Sequence, residues 1–548
     1  MAVLSSLQCD LWVQGLAALG LLVLTKLLWD IFLSPLRAVP GPLLAKSTNL
    51  WRAFHTFRGR VDTKHVELHR KYGDAVRIGP NCVSISDPNL IRTIYSTRNP
   101  WKKVLRNKSL YCSDFPLRIC NPSLLTFSCV IKSDMYRPND VLIEGHRMSN
   151  LFNSQDEDWH NQNIRPIRGL WSMTKVLEYE PLIDETITKF VEKVAMKFVD
   201  GDSAGTVCPA DEWIGFFAWD VTANFSFGRH YGFIDQEKDV DNLITDSTDG
   251  LLYFAPVSQI PWIDNLLDKN PIKRIGPKPT LTGVLYAFKV VAEYQAQLSN
   301  KTITAGSVDH TLDKYLQLKE TYPDMVNDHQ IVNWLMLSIL AGGDTSSATM
   351  RAILYYLAKS PSSSGKLAAE LQNASLPTPA PWKLIRDLPY LDAVIREAMR
   401  VNPGIAMIFE RVVPDEGFTL PDGQYLPAGT KVGINPAVTN KDYGVFGEDA
   451  DEFNPDRWFQ GKNESDEHFE ARSRRMKDTV DFVFGGGGRI CMGRYLAMLE
   501  IKKLIATLYN VFDIQLLDAK HEWTYRNAWF VYQYDMPMII RRRGVASQ

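Results

Sequence analysis

One loop of the chain combines residue types that could hold a cofactor or a metal, the stretch "FVFGGGGRICMG" that begins at Phe482. Four consecutive glycines precede Arg489 and Cys491. A phosphate-binding loop would need Gly-Lys-Ser/Thr after the glycines, and a dinucleotide-binding loop needs glycines at its first, third and sixth positions. The stretch fits neither pattern. A buried cysteine beside a glycine turn is commonly inert, and that interpretation stays open at this point.

A metal thiolate is the alternative interpretation of the same loop. A flat cofactor lying over the glycines would explain the missing side chains, and Arg489 could pair with an acidic group on its edge. The run "MGRYLAMLEIKKLIATLY" that follows Cys491 predicts a helix, whose first N–H groups stabilise sulfur in its charged form. Haem is the cofactor that takes one thiolate on one face.

A long helix, predicted over residues 328–360, carries a second chemical signal. It begins at an Asn/Asp cap, ends before Pro361 and is apolar nearly all round, which indicates burial. Its middle reads "AGGDTS", where each glycine costs about 1 kcal/mol relative to alanine. Either the glycines let a ligand approach a locally opened helix, with Asp344 and Thr345 presenting protons, or the stretch is a packing kink.

A third signal is a set of charges that could crosslink an irregular segment. The predicted helix "YLDAVIREAMRVNP" places Glu397 and Arg400 three residues apart on one face, and "FNPDRW" supplies Arg457 further along the chain. An Arg–carboxylate–Arg cluster can satisfy buried carbonyl groups. Charged pairs at this spacing also occur on most surface helices, so the pair alone indicates little.

Together these motifs resemble those of the cytochrome P450 family, over roughly residues 35–540 of the chain. The positions similar to its haem-binding signature are Phe484, Gly487, Arg489, Cys491 and Gly493. "AGGDTS" is similar to its oxygen-activation motif, and "EAMR" with "PDRW" to its structural triad. Other stretches, such as "VFGEDADEFNPDRW", are similar to fungal secondary-metabolism members of the microsomal type, pisatin demethylase among them.

The resemblance implies an α+β fold that is mainly helical, with small β-sheets. It implies that Cys491 is the axial ligand of haem b, and that Asp344 and Thr345 deliver protons through ordered water. Arg489 and Arg411 would hold the haem propionates. Near the haem edge the family usually has two arginines four and five residues after a Trp or His; here His160 is followed by Ile164 and Arg165, so one arginine is absent. The resemblance implies that His160 and Arg165 contact the propionates, and a surface helix is the alternative.

The activity implied is that of a monooxygenase, which inserts one atom of O2 into a lipophilic small molecule by hydroxylation or demethylation. Electrons would come from NADPH through a separate NADPH–cytochrome P450 reductase, with cytochrome b5 as a further candidate, since no flavin or nicotinamide fingerprint is recognised in the sequence. Two alternatives stay open. An electron-independent haem-thiolate isomerase or dehydratase often loses the acid–alcohol pair, and a non-catalytic haem-binding relic should show decay there, whereas Asp344 and Thr345 are intact.

An apolar stretch near the N-terminus predicts a membrane anchor. Residues 11–33 would form a helix roughly 35 Å long, which can span a bilayer. Lys26 and Asp30, four apart, can pair near one end. No Lys or Arg precedes the stretch and several follow it, which places the body in the cytosol. A cleaved signal peptide is the alternative. We expect residues 1–34 to be a single-pass endoplasmic reticulum anchor and 35–548 the catalytic domain.

The remaining chain suggests strands up to about residue 100, notably "DAVRIGPNCVSISD", then mainly helices over residues 159–359. Strand-like pieces return over residues 417–434 and 529–540. Residues 251–271 are apolar enough to form an entrance at the bilayer surface, although a core helix and its loop would look similar. Residues 104–131 read as a lineage-specific insertion, a translated intron or an ordinary long loop.

Composition excludes some classes of function. The net charge is −2, with no basic stretches interleaved with aromatic residues, which argues against nucleic-acid binding. The seven cysteines show no CxxC spacing, which argues against a zinc finger and favours a reducing compartment.

Overall fold

Helices dominate the computed structural model, which describes residues 2–96, 133–143, 145–276, 281–303 and 310–544. Residues 104–131 lie outside the described residues, so their interpretation as an insertion stays a prediction. The α-helices are α1 (Ala2–Leu28), α2 (Leu43–Ser47), α3 (Leu50–Phe57), α4 (Val61–Tyr72), α5 (Ile91–Ile94), α6 (Glu157–Ile164), α7 (Met173–Val176), α8 (Glu180–Val194), α9 (Ala210–Phe227), α10 (Phe233–Gln236), α11 (Leu243–Val257), α12 (Leu281–Ser299), α13 (Thr311–Thr321), α14 (Asp328–Lys359), α15 (Pro361–Asn373), α16 (Trp382–Ile385), α17 (Pro389–Val401), α18 (Pro436–Thr439), α19 (Tyr443–Phe446), α20 (Asp466–Asp481) and α21 (Arg494–Val511).

Shorter helices and strands fill the connections. The 3-10 helices are Pro88–Leu90, Asp134–Asn139, Arg168–Trp171, Leu177–Tyr179, Gly201–Ser203, Val240–Asn242, Pro261–Asn265, Pro455–Trp458, Phe482–Phe484 and Gly487–Arg489, and the π-helices are Trp29–Leu33 and Ala195–Val199. The strands are β1 (Ala75–Gly79), β2 (Cys82–Ile85), β3 (Val141–Ile143), β4 (His146–Met148), β5 (Cys208–Pro209), β6 (Arg411–Val412), β7 (Phe418–Thr419), β8 (Tyr425–Leu426), β9 (Lys431–Ile434), β10 (Phe512–Leu516), β11 (Thr524–Ala528), β12 (Phe530–Tyr534) and β13 (Pro537–Arg542). The predicted α+β class is confirmed.

Helix α14 runs through the core and positions the site. Its 32 residues extend about 48 Å. The side chain of Asn327 caps it by accepting the Gln330 N–H at 2.9 Å, and Pro361 opens α15 directly after it. Buried helix α9 packs along α14, and α12, α17, α21 and β12 also contact it. The prediction for residues 328–360 is therefore confirmed to within one residue.

The first hundred residues differ from the expectation of strands. Helices α3 and α4 occupy much of this region, and strands appear only as β1 and β2 in its described part. The buried positions of α4 include Val61, His65, Leu68 and His69, which follow a helical spacing. The prediction extended the strand-like alternation of "DAVRIGPNCVSISD" to the whole region and missed this helical spacing.

Four small strands form a sheet of order β1-β2-β9-β6, which joins this region to residues 411–434. Strand β9 pairs parallel to β2, with Val83 opposite Val432. A second sheet has the order β10-β13-β5, and β11 and β12 form a hairpin that turns at Trp529, whose φ is +78°.

The N-terminal helix stands apart from this core. Trp12–Leu33 is the one helix in the described part of the chain that is long and apolar enough to cross a membrane, and it is almost entirely unburied. Lys26 and Asp30 form the predicted ion pair.

Candidate active site

A cavity of about 360 Å³ lies between α14, α11, the β11–β12 hairpin and the loop that precedes α21. Its wall brings together many of the residues that the sequence singles out, namely Phe484, Arg489, Cys491, Gly493, Thr345, His160 and Arg411. Other predicted site residues are not part of this wall, namely Asp344, Gly487, Arg165, Glu397, Arg400 and Arg457.

The glycine loop is shaped by its own backbone and by Tyr95. The Cys491 N–H donates to the Phe484 carbonyl at 2.7 Å, and Gly485 and Gly487 adopt φ of +76° and +66°. A Cβ on Gly487 would lie 2.2 Å from the Tyr95 carbonyl oxygen, and one on Gly486 would lie 2.9 Å from the Tyr95 Cβ. Backbone conformation and Tyr95 leave no room for side chains at these positions, and the expectation that a cofactor lies over the glycines stays a prediction.

Cys491 is exposed to the space of the cavity that it lines, and protein surrounds this position. Burial raises the pKa of this thiol, and the backbone N–H groups of Gly493 and Arg494, with the Arg494 charge, oppose that shift. Helix α21 begins at Arg494, three residues after the cysteine. The thiol is therefore held by the N–H groups at the start of α21, as a metal-binding thiolate requires.

Two arginines line the wall near this loop. Arg489 donates to both carboxylate oxygens of Glu157, at 2.6 Å for the shortest contact, and to the Leu151 carbonyl at 3.2 Å. Arg411 is 4% exposed and lies over the ring of Tyr95 at 4.8 Å. In the described part of the chain no carboxylate lies within 4 Å of the Arg411 guanidinium.

The donor set fits haem. A buried cation is normally paired with an anion, so Arg411 suits an acidic group on a cofactor edge. Burial lowers the pKa of Arg489, and its pair with Glu157 opposes that shift. Arg411 donates to the Glu410 carbonyl at 2.9 Å but has no carboxylate partner among the described residues. The Cys491 thiol, this guanidinium and the cavity that both line provide what a haem with one thiolate and acidic substituents needs.

The two residues that the resemblance assigned to the haem edge, His160 and Arg165, lie in different environments. His160 is buried on the cavity wall, whereas Arg165 is exposed and does not line the cavity. Ile164, at the position of the absent arginine, is buried and lines the wall instead. Glu157 was not identified from the sequence, because its partner Arg489 lies 332 residues further along.

The glycines of α14 serve helix packing, which corrects the prediction of a locally opened helix. The helix is continuous through "AGGDTS", and Thr345 Oγ1 donates to the Ala341 carbonyl at 2.6 Å. A Cβ on Gly343 would lie 2.7 Å from the Trp219 ring, and one on Gly342 would lie 3.0 Å from Thr222 Oγ1. The absence of these Cβ atoms lets α9 approach α14 closely.

Asp344 is buried behind the wall and fully hydrogen-bonded. One carboxylate oxygen accepts from Trp219 Nε1 at 2.9 Å, and the other accepts from Ser247 Oγ at 3.0 Å and Tyr532 OH at 2.8 Å. Burial raises the pKa of Asp344, and these three donors oppose the shift. Because Ser247 lines the cavity, its hydroxyl links the acid to the cavity.

A second carboxyl group lies on the wall itself. Glu500 of α21 accepts a hydrogen bond from Ser346 Oγ, and its other carboxylate oxygen has no partner among the described residues. Burial raises the pKa of Glu500 to about 8, and the Ser346 hydrogen bond opposes the shift. Glu500 is therefore mainly neutral at pH 7.

The predicted triad assembles away from the cavity. Arg400 donates to both carboxylate oxygens of Glu397, at 2.9 and 2.7 Å, and Arg457 Nε donates to Glu397 at 2.8 Å. The two arginines also donate to backbone carbonyls of the irregular segment, namely those of Asn440, Phe446, Asp449, Ala450 and Glu452.

The amino-acid sequence of this chain is similar to those of several known proteins. A model described as Cytochrome P450 matches residues 123–535. Cytochrome P450 monooxygenase cfoH of Aspergillus candidus is 33% identical, over 96% of this chain and 92% of that protein. Cytochrome P450 monooxygenase pkfB of Emericella nidulans is 33% identical, over 93% and 92%. For cytochrome P450 monooxygenase mpaDE of Penicillium brevicompactum the identity is 34%, over 92% of this chain and 55% of that longer protein.

Proposed function

Because this chain belongs to the cytochrome P450 family, we propose that it is a membrane-anchored haem-thiolate monooxygenase, which hydroxylates or demethylates a lipophilic small molecule in fungal secondary metabolism. The observation that carries the proposal is the Cys491 thiol, held on the wall of a cavity that Thr345 and Arg411 also line. The names of its relatives support the class of reaction and leave the substrate to experiment.

Each residue of the wall has a defined task in this proposal. Haem, when bound, supplies the iron that activates O2. The Cys491 thiolate would be its axial ligand, and Arg411 would bind an acidic group on its edge, with Arg489 and His160 beside it. Haem b is supported by the absence of a CxxCH attachment motif in the sequence.

Protons would reach the cavity from α14. The Thr345 hydroxyl can rotate away from the Ala341 carbonyl and donate into the cavity from Oγ1. Asp344 would hold a proton that passes through the Ser247 hydroxyl, whose Oγ lies 3.0 Å from the carboxylate. Phe254, Phe409 and the rest of the apolar wall would exclude bulk water.

The proposal also covers the source of the electrons and the location of the protein in the cell. The sequence lacks flavin and nicotinamide fingerprints, which supports delivery from NADPH by a separate cytochrome P450 reductase, with cytochrome b5 as a further candidate. The apolar helix Trp12–Leu33 supports a single-pass anchor within residues 1–34 and a cytosolic catalytic domain in residues 35–548, at the endoplasmic reticulum.

The test is the carbon monoxide difference spectrum of the reduced, full-length protein. We expect a Soret band of the thiolate-haem type in the wild type and its loss in Cys491→Ser. Cys208→Ser is the control, since Cys208 is buried outside the cavity wall, and it should keep the band. A wild type without the band contradicts the proposal. A normal band with no NADPH-dependent turnover by any reductase would favour the electron-independent isomerase or dehydratase.

A further inference from the structure

One end of the cavity carries charged side chains other than Arg411, Arg489 and Glu500. Asp140 and Asp268 line it together with Arg274. Asp140 lies just before β3, and the other two follow the 3-10 helix Pro261–Asn265. The end is therefore built where the segment around residue 140 meets the segment between α11 and α12.

The acids at this end are all matched by bases. Arg147 contacts Asp140 and Asp264, each at 3.4 Å. Lys269 pairs with Asp268 and lies 3.8 Å from Asp264. These side chains are mostly buried, so the pairs are shielded from solvent. Counting Arg274, which also pairs with Asp268, three bases balance the three carboxylates, which therefore offer little to a cationic ligand.

Arg274 is the member of this group with unused hydrogen-bonding capacity. Its Nε pairs with Asp268, while its two terminal nitrogens have no hydrogen-bond partner among the described residues. The side chain is 33% exposed and reaches the cavity wall. A guanidinium presents its N–H groups in a planar fork that matches a carboxylate.

Much of the wall of the cavity that Arg274 and Cys491 share is apolar. Phe152, Leu251, Phe254, Ile405 and Trp529 are among its lining residues. A ligand that fills the cavity must therefore have an apolar body. A ligand that also reaches Arg274 binds more tightly if it ends in a hydrogen-bond acceptor.

We propose that Arg274 binds a carboxylate at one end of the substrate, while the apolar remainder extends toward Cys491. The substrate class is then an amphiphilic acid, with oxidation directed at the apolar end. This inference rests on the proposed monooxygenase function and narrows its substrate.

The test measures binding of matched pairs of saturated acids and alcohols, such as dodecanoate with dodecanol and hexadecanoate with hexadecanol, to the haem-loaded protein. Binding is read from the haem spectral shift. We expect the wild type to bind the acid about tenfold or more tightly than the alcohol, as the loss of one charge-assisted hydrogen bond would predict. Arg274→Gln should abolish this preference while changing the affinity for the alcohol by less than about twofold. Arg274→Lys should keep part of it.

Asp268→Asn tests whether Arg274 recognises the ligand or only supports the local structure. This variant weakens the same ion pair but keeps Arg274, so it should retain the preference for acids. An equal loss of preference in Asp268→Asn and Arg274→Gln would overturn the proposal in favour of a structural role. A wild type that shows no preference in any pair, including no binding, also overturns it. The carbon monoxide band, measured on each sample, distinguishes these results from failure of the proposed function.

Discussion

The indole N–H of Trp219 donates to the Asp344 carboxylate across 2.9 Å, and the same ring occupies the space beside Gly343. The carboxylate also accepts from Ser247 and Tyr532. One buried acid on α14 therefore ties together α9, α11 and β12. Of these, Ser247 places its hydroxyl on the cavity wall, so the acid and the cavity are coupled through α11.

Gly343→Ala is expected to destabilise the protein through the Trp219 ring. The new Cβ would lie 2.7 Å from a ring atom, and overpacking of this kind costs about 1–3 kcal/mol. Gly365→Ala in α15 is the matched control, because no atom lies within 4 Å of its Cβ position, and alanine is the better helix former by up to about 1 kcal/mol. Thermal unfolding of both variants checks this. Equal stabilities would contradict the packing role of Gly343.

The sequence predicted helix α14, the charge triad and the loop around Cys491, because each has a local signature. Contacts with distant residues could not be predicted. Tyr95 and Trp219 lie against the glycines of the two motifs, and the sequence does not show which side chain approaches them. Glu157 and Glu500 were missed because their partners lie 332 and 154 residues away. A charged residue within the apolar run "AMLEIKKLIATL" was the one available signal for Glu500.

Glu397→Gln is expected to be strongly destabilising. Glu397 and Arg400 are completely buried, and Arg457 nearly so. Removing the negative charge leaves the buried Arg400 without its counter-ion and leaves Arg457 with Asp449 alone, which costs about 3–5 kcal/mol.

The control for that variant is Asp387→Asn. Asp387 pairs with Arg386, but both side chains are largely exposed, so the free energy of unfolding should change by less than about 1 kcal/mol. Chemical denaturation of the haem-loaded proteins gives both values. Similar stabilities for the two variants would contradict a stabilising role for the triad.

Glu500 is expected to make the stability depend on pH. Burial raises its pKa to about 8 from an ordinary 4.5, so between these values the folded protein keeps a proton that the unfolded chain releases. The contribution is complete below pH 4.5 and is lost as pH rises through about 8. Glu500→Gln, which stays neutral, should be less stable or equal at pH 5 and gain relative to the wild type by at least about 1 kcal/mol at pH 9. Melting curves across this range test it, and parallel pH profiles would show that Glu500 titrates normally.

Arg411→Met is expected to change cofactor retention and the stability of the haem-free protein in opposite directions. The Arg411 guanidinium is buried without a carboxylate partner among the described residues, and it donates to the Glu410 carbonyl at 2.9 Å. Replacing a buried charge that has no counter-ion by an apolar side chain of similar length removes a desolvation cost. The haem-free variant should therefore melt at the same temperature as the wild type or higher. The haem-loaded variant should lose haem to a haem-scavenging protein about tenfold faster, because one charge-assisted contact is gone.

Arg165→Met is the control, since Arg165 is exposed and off the cavity wall, and it should change neither the melting temperature nor the rate of haem loss. Faster haem loss in Arg165→Met, or unchanged haem loss in Arg411→Met, would assign the acidic edge of the cofactor to a different arginine.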